Sequence, residues 1–271
     1  MKKHLTSIIL ALIFITGLSL LLYPTVSDYW NSLHQSRVID SYVSTVNEMD
    51  EAKKQELWNA ADAYNQALAG QPQNFTLSGD AIKEYNQQLK VDNTDAISYI
   101  EIPKINCKLP IYHGTDEETL QVAVGHLPGS SLPVGGESTH CVLTGHRGLP
   151  SAELFSKLDE LEVGDTFTLT TLGQTLTYQV DLISIVLPSE TDLLSIEEGK
   201  DLVTLVTCTP YGVNTHRLLV RGHRISNEEA AKLNITADAY KIPPIMIAPI
   251  FAAILVLLLV LGLIIRRRRK R

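Results

Sequence analysis

The sequence predicts a mainly β protein: a β-barrel with short helices, preceded by an N-terminal helical extension and flanked by two transmembrane helices. Short β-rich runs recur at close intervals over residues 96–225, and apolar residues recur at helical spacing over residues 28–69. A long apolar run also lies near each end of the chain. Many short strands separated by turns, with few helices among them, are typical of a barrel.

Seven β-rich runs make up the predicted barrel, and turn signals such as Gly135-Gly136 and Gly164-Asp165 separate them. About 130 residues are enough to form a single hydrophobic core. The predicted strands cover residues 97–102, 108–112, 140–144, 166–171, 176–187, 202–207 and 217–223.

Between Asp28 and Ala69, apolar residues recur in steps of three and four, which indicates amphipathic helices. Gly70 is a candidate for the residue that ends them. We expect these helices to pack on the barrel, because Trp30 and Tyr42 would otherwise leave large apolar surfaces in water. A loop over residues 71–79 and a short helix over residues 82–89 follow in the prediction.

Two apolar runs, Leu5–Tyr23 and Ile245–Ile265, each approach the roughly 20 residues that a helix needs to cross a bilayer. Lysines precede the first run, and six basic residues follow the second. Because basic residues favour the cytoplasmic side, we expect both termini in the cytoplasm. The intervening residues would then lie on the extracytoplasmic side of a cell membrane.

The first run also has features of a cleaved secretory signal, since residues 25–27 weakly resemble a cleavage site. An uncleaved anchor is favoured because Tyr23 and Pro24 interrupt that site and the run is long for a signal. The predicted organisation is an anchor or signal at 1–27, a helical extension at 28–95, a barrel at 96–225, a linker at 226–244, a transmembrane helix at 245–265 and a basic cytoplasmic tail at 266–271.

The charge of the chain argues against one class of partner. The formal net charge is −7, and eight of the 23 Lys and Arg residues lie at the two ends, which leaves 15 against 30 acidic residues. Nucleic acid is therefore not an expected partner, because binding phosphates requires clustered positive charge.

Cysteine is sparse, and the three residues Cys107, Cys141 and Cys208 leave at least one free thiol. Cys107 and Cys141 are interpreted as small, buried apolar side chains. A disulfide between these two residues stays open, because the pairing depends on geometry that the sequence does not contain.

A predicted hairpin brings Cys208 and Arg217 together. The apolar run that ends at Val206 reads as a buried strand, turn residues follow at 210–214, and the run 218–220 reads as the returning strand. Acyl transfer needs a nucleophile that attacks a carbonyl and a fixed cation that stabilises the resulting oxyanion. A thiol beside a guanidinium supplies both.

A second strand, residues 141–143, runs into Thr144-Gly145-His146 and presents an imidazole at its end. Histidine titrates near neutral pH and can protonate a departing amine. Competing histidines are His140, His216 and His223. His216 is the weakest of them, because it alternates with Arg217 and faces the other side of the strand. Metal-ligand spacings such as Cys-x-x-Cys are absent from the sequence, so no metal or other cofactor is expected.

Three motifs, TGHRG at 144–148, TLVTCTPY at 204–211 and NTHR at 214–217, closely resemble those of the sortases, the cysteine transpeptidases of Gram-positive cell surfaces. Within that family the chain is most similar to class C, the group that polymerises pilins. The resemblance covers residues 98–224 and includes YIEIPKI at 99–105 and LPIYHG at 109–114.

This resemblance implies a closed β-barrel with Cys208 as nucleophile, His146 as acid and Arg217 at the oxyanion. The expected acyl donor is a surface protein or pilin with a Leu-Pro-x-Thr-Gly signal, cleaved between Thr and Gly. The acceptor would be a pilin lysine amine. Two alternatives stay open: a housekeeping sortase that uses a cell-wall precursor amine, and a membrane-tethered module that binds peptides without catalysis.

Class C sortases usually carry a lid with an Asp-Pro-aromatic motif in the active site, and no such tripeptide occurs here. We therefore expect residues 71–95 to lie away from the site or to move freely. Removing residues 71–79 would then change the reactivity of the site by no more than a few-fold.

Overall fold

Eight strands close into one barrel in the computed structural model of this chain, which describes residues 2–229. The predicted closed barrel is confirmed. The strands are β1 (Ala96–Ile102), β2 (Cys107–His113), β3 (Val124–His126), β4 (Thr139–Thr144), β5 (Thr166–Thr171), β6 (Gln174–Val186), β7 (Asp201–Thr209) and β8 (His216–Ile225).

Around the barrel the strands follow the order β1-β2-β3-β4-β7-β8-β6-β5. The β2–β3 and β4–β7 pairs are parallel, and the other pairs are antiparallel. Strands β5 and β6 separate β4 from β7 in sequence, but β4 and β7 are neighbours in the barrel. This crossover brings the Thr-Gly-His run at the end of β4 beside the strand that carries Cys208.

Three helices precede the barrel strands in the chain, and a fourth lies in the loop between β2 and β3. They are α1 (Lys2–Glu48), α2 (Glu51–Ala69), α3 (Gly79–Tyr85) and α4 (Glu117–Leu120), with short 3₁₀ turns at Pro103–Ile105, Leu158–Glu160 and Asp192–Leu194. Helix α2 ends at Ala69, next to the predicted terminator Gly70.

Helix α1 joins the hydrophobic core through its C-terminal half. Tyr42 and Val46 are each 1% exposed and belong to the same apolar cluster as the barrel interior. The Tyr42 hydroxyl donates to the Ile97 carbonyl at 3.0 Å and accepts from the Leu172 amide at 2.8 Å. The helical extension therefore packs on the barrel through Tyr42. The same expectation is wrong for Trp30, which is 62% exposed.

Within the described residues, one helix is long and apolar enough to cross a membrane: α1, from Leu12 onward. The predicted second span at 245–265 lies outside those residues, as do the tail 266–271 and most of the linker 226–244. The structure therefore supports one flanking apolar helix and does not support the two-pass topology.

The predicted helix over residues 82–89 is shifted toward the N-terminus, because α3 spans Gly79–Tyr85. Beyond Tyr85 the chain turns, and Leu89 adopts a φ of 52°. This left-handed residue is incompatible with a continuing right-handed helix. The turn allows both Tyr85 and Leu89 to be fully buried.

Two histidines lie side by side on the parallel strands β2 and β3, where His113 is paired with His126. The Tyr85 hydroxyl lies 2.8 Å from His126 Nδ1, and the Tyr85 ring meets His113 edge-on. Burial, the largest cause, lowers the pKa of both histidines to about 4. Both rings are therefore neutral in the folded protein at neutral pH.

Acidification from pH 7 to pH 4 is expected to destabilise the barrel. An unfolded histidine takes up its proton near pH 6.5, whereas His113 and His126 stay neutral down to about pH 4. Their contribution is complete above about pH 6.5 and is lost as the pH falls toward 4. Each histidine contributes on the order of 3 kcal/mol to this loss.

The measurement is the free energy of unfolding in denaturant at pH 7 and at pH 4.5. His126→Gln should have a smaller difference between the two values than the unmodified protein. The exposed His34→Gln serves as the matched control and should keep the full difference. An unchanged pH dependence in the His126 variant would contradict this account.

Candidate active site

The β7–β8 hairpin places Cys208 directly opposite Arg217 in the antiparallel register. Directly opposed residues share one face of a sheet, with Cα atoms about 4.5–5.5 Å apart. Both side chains are half-buried. The hairpin predicted from the turn residues at 210–214 thus brings the thiol and the guanidinium to the same face.

The parallel β4–β7 pair brings His146 to the same edge. Thr144 pairs with Val206, and the Gly145 amide extends the ladder by donating to the Val206 carbonyl at 3.0 Å. Continued by two residues, this register places His146 beside Cys208 on backbones about 4.8 Å apart. His146 just beyond the end of β4, Cys208 on β7 and Arg217 on β8 therefore follow one another in that order across three adjacent strands.

The turn that presents His146 is held tightly. Thr207 Oγ1 donates to the Gly145 carbonyl at 2.8 Å, and the Phe155 amide donates to the His146 carbonyl at 3.1 Å. A Cβ at Gly145 would lie 2.6 Å from the Phe155 ring. A larger residue at position 145 would therefore push the turn away from β7.

Arg217 is the basic residue of β8 that stays available. Its Nη1 donates to two backbone carbonyls, of Asn214 at 3.4 Å and His216 at 3.2 Å, and within residues 2–229 it makes no ion pair. Arg221 is instead paired with Asp181 and Glu197. The more distant Arg224 lies 3.9 Å from Asp201 and above the Tyr178 ring.

The competing histidines occupy other positions. His140 is fully buried, with its ring nitrogens 2.8 Å from the Ser195 carbonyl and 2.7 Å from Thr204 Oγ1. His216 pairs with Thr209, so its side chain is on the face opposite to Arg217. His223 lies 3.8 Å from Asp181 at the far end of β8.

An apolar cluster lies beside Cys208 on the same face of the sheet. Val206 lies two residues before Cys208, and Leu219 lies two residues after Arg217, so alternation puts all four on one side. Val142 and Leu194 complete a buried cluster with Val206 and Leu219. Leu127 and Val186 pack at its margins.

A sortase-domain family model matches residues 100–225 of the chain. Sortase D of Bacillus subtilis is 34% identical over 140 residues, which are 51% of this chain and 68% of that protein. The crystal structure of sortase C1 from Streptococcus agalactiae has 53% identity and a TM-score of 0.69, covering 70% of this chain and 99% of that one. The chain belongs to the sortase family.

Among its structural neighbours, this sortase is also similar to sortase C of Streptococcus pneumoniae, with 49% identity and a TM-score of 0.64. That comparison covers 70% of this chain and 97% of the other. Sortases C and C1 are among the neighbours at 43–53% identity, together with a lid mutant of sortase A from Corynebacterium diphtheriae at 44%. As a member of the family, the sortase is a cysteine transpeptidase.

All three thiols of the sortase are free, so Cys107 and Cys141 form no disulfide. Burial raises the pKa of the Cys107 thiol to about 12 and that of the Cys141 thiol well above its usual range. A thiolate is the nucleophilic form of cysteine. Both side chains are therefore suited to packing rather than to attack.

One residue of the loop 71–79 packs on this apolar cluster, so the expectation that the loop lies away from the site is wrong. Phe75 packs on the cluster that contains Val206. Gln73 Nε2 donates to the Gly129 carbonyl at 3.1 Å, and Gln73 Oε1 accepts from the Ile196 amide at 3.2 Å. A phenylalanine therefore packs beside the site without an Asp-Pro-aromatic motif, and the hydrogen bonds of Gln73 to two flanking loops hold the segment there.

Two contacts of the site were not predicted from the sequence. Phe75 was missed because a single aromatic residue in a polar loop has no periodicity to reveal its target. Glu117 was missed because it lies on the four-residue helix α4, yet its Oε2 is 3.5 Å from His146 Nε2. The available signal was the helix start Asp116-x-x-Thr119, in which Asp116 caps the helix.

Replacing Phe75 by alanine is expected to increase the rate at which a small alkylating reagent modifies Cys208 about tenfold. Phe75 is half-buried, so its contact contributes at most the lower part of the roughly 1.5–3 kcal/mol of a fully buried phenylalanine, and the fraction of molecules in which it packs beside the site lowers the apparent reactivity. Mass spectrometry of the alkylated peptides separates Cys208 from the two buried thiols. The exposed neighbour Thr76→Ala should leave the rate unchanged, and equal rates for both variants would contradict this role of Phe75.

Proposed function

We propose that this sortase cleaves a Leu-Pro-x-Thr-Gly signal between Thr and Gly and transfers the acyl group to a lysine amine of a pilin. The observation that supports this most is the register of β4, β7 and β8, which orders His146, Cys208 and Arg217 side by side, with an apolar cluster beside the thiol. Apolar residues near the thiol suit the leucine and proline of such a signal.

In the first half-reaction the Cys208 sulfur attacks the threonine carbonyl carbon. A C–S bond forms, the Thr–Gly C–N bond breaks, and His146 supplies the proton that the departing glycine amine takes. Arg217 stabilises the negative oxygen of the tetrahedral intermediate, because a guanidinium stays charged throughout. In the second half-reaction the lysine amine attacks the thioester, the C–S bond breaks, and the amine proton returns to His146.

An alternative pair, Cys107 and His126, is poorly suited to this chemistry. Cys107 starts β2, whereas His126 pairs with His113 at the end of that strand. Six residues of extended strand separate them by roughly 20 Å. His126 is also fully buried and hydrogen-bonded to the Ser131 carbonyl at 2.8 Å.

We also propose that helix α1 anchors the sortase in the membrane without cleavage. Residues 25–27 lie within an unbroken helix that continues to Glu48. Shortly after them, Asp28 Oδ1 accepts from the Glu153 amide at 2.7 Å, and Asn31 Nδ2 donates to the Ser151 carbonyl at 2.7 Å. An anchor tied directly to the barrel would hold the site near membrane-bound substrates and raise their effective concentration.

The test combines the full-length sortase in detergent with a quenched Leu-Pro-x-Thr-Gly peptide, then with a purified pilin subunit. Peptide cleavage distinguishes an enzyme from a binding module. Covalent pilin oligomers that disappear when the acceptor lysine is changed to arginine support pilin transfer. Cleavage with a cell-wall precursor amine as the preferred acceptor would instead assign housekeeping anchoring.

A further inference from the structure

The imidazole of His146 has one nitrogen whose environment the proposed reaction does not explain. Nε2 is buried and has no hydrogen-bond partner. The Glu117 Oε2 atom lies 3.5 Å away, within ion-pair range but outside hydrogen-bond geometry. Catalytic hydrogen bonds are often long in a substrate-free enzyme and shorten in the substrate complex.

The Glu117 side chain is 73% exposed, and its position is set by the start of its helix and by one hydrogen bond. Asp116 caps helix α4 by accepting from the Thr119 amide at 3.0 Å and from the Thr119 hydroxyl at 3.1 Å. Gln121, one turn further on, donates to Glu117 Oε1 at 2.5 Å. One carboxylate oxygen is therefore occupied, and the other faces the histidine.

Among residues 2–229, neither arginine near the site forms an ion pair with Glu117. Arg147 pairs with Asp159 and lies above the Tyr211 ring. Arg217 donates to the backbone carbonyls of Asn214 and His216. Among residues 2–229, Glu117 supplies the carboxylate that forms an ion pair with His146.

We propose that Glu117 is a positioning residue that accepts the Nε2 hydrogen of His146, fixing the tautomer and the orientation of the ring. Nδ1 is then the nitrogen left to exchange protons with the reacting groups. A carboxylate that faces an imidazole also stabilises its protonated form, and a carboxylate partner plays this role for histidine in other acyl-transfer enzymes. The inference rests on the proposed role of His146.

The experiment compares Glu117→Ala, Glu117→Gln and the neighbouring Glu118→Ala in the full-length sortase, with kcat and KM measured for peptide cleavage from pH 5 to pH 9. Partners that act through a histidine typically change activity by about 10- to 100-fold. We expect Glu117→Ala to lower kcat by that factor at unchanged KM. As the pH rises, activity should begin to fall at a lower pH than in the unmodified sortase. The reason is that protonated His146 loses the negative charge that stabilises it.

The same variants have a spectroscopic readout that a merely structural role would not change. In the unmodified sortase, ¹⁵N NMR of the His146 ring should indicate a hydrogen on Nε2 in the neutral form. Glu117→Ala should give a mixture of tautomers, whereas Glu117→Gln, which keeps an oxygen acceptor, should partly restore both the tautomer and kcat. Glu118→Ala should match the unmodified protein throughout.

The outcomes separate this inference from the proposed function. An unmodified sortase that cleaves no peptide would remove the proposed role of His146 and, with it, the basis for Glu117. An active sortase in which Glu117→Ala keeps kcat, pH profile and tautomer would overturn the positioning role alone. Equal losses in Glu117→Ala and Glu118→Ala would also overturn it, because they would indicate a general effect of charge.

Discussion

Replacing Cys208 by alanine is expected to reduce peptide cleavage and thioester formation to background. The substitution removes only the sulfur, which is the atom that forms the acyl bond. Cys208 lies half-buried near the end of β7, so the barrel should keep its stability. A quenched peptide measures cleavage, and mass spectrometry of the intact protein detects the acyl adduct.

The other two cysteines provide matched controls for this prediction. Cys107→Ala and Cys141→Ala remove thiols whose burial raises the pKa far above neutral pH. Both variants should keep the acyl adduct, although loss of the fully packed Cys141 sulfur will lower the melting temperature. Cleavage that survives in Cys208→Ala and disappears in Cys141→Ala would refute the assignment of the nucleophile.

Replacing Arg217 by alanine is expected to lower kcat by about 100- to 1,000-fold, since removing one oxyanion donor typically costs roughly 2.7–4 kcal/mol of transition-state stabilisation. Arg217→Lys should restore little of this loss, because an ammonium does not reproduce the planar fork of guanidinium donors. Steady-state cleavage rates measure the change.

Arg221→Lys is the control for Arg217, because Arg221 lies on the same strand face and is already paired with Asp181 and Glu197. Its substitution should affect stability more than turnover. A loss below about tenfold in Arg217→Ala would show that another donor stabilises the oxyanion.

Much of the barrel was predictable from local pattern. Seven of its eight strands coincide with the predicted β-rich runs, with ends that differ by at most two residues. The exception is β3, whose three residues Val124–His126 are too few to establish an alternation. Its position depends on pairing with β2 and β4 rather than on its own composition.

The relation of Cys208 to Arg217 was also predictable, because turn residues between two apolar runs specify a hairpin and hence a register. That His146 lies beside Cys208 was not predictable from the distance between them in the sequence. It depends on the parallel pairing of β4 with β7, which two intervening strands make possible. The resemblance to sortases suggested this neighbourhood, and the strand register is consistent with it.

By itself, the sequence determined which segments form strands and helices, where the apolar runs lie, and which residue types are available for acyl transfer. These properties depend on neighbours along the chain. Tertiary structure alone decided that the three thiols stay unpaired, that Phe75 packs on the apolar cluster beside Cys208, and that Glu117 faces His146. Each of these contacts joins segments whose mutual distance depends on how the whole barrel closes, and no local pattern records that distance.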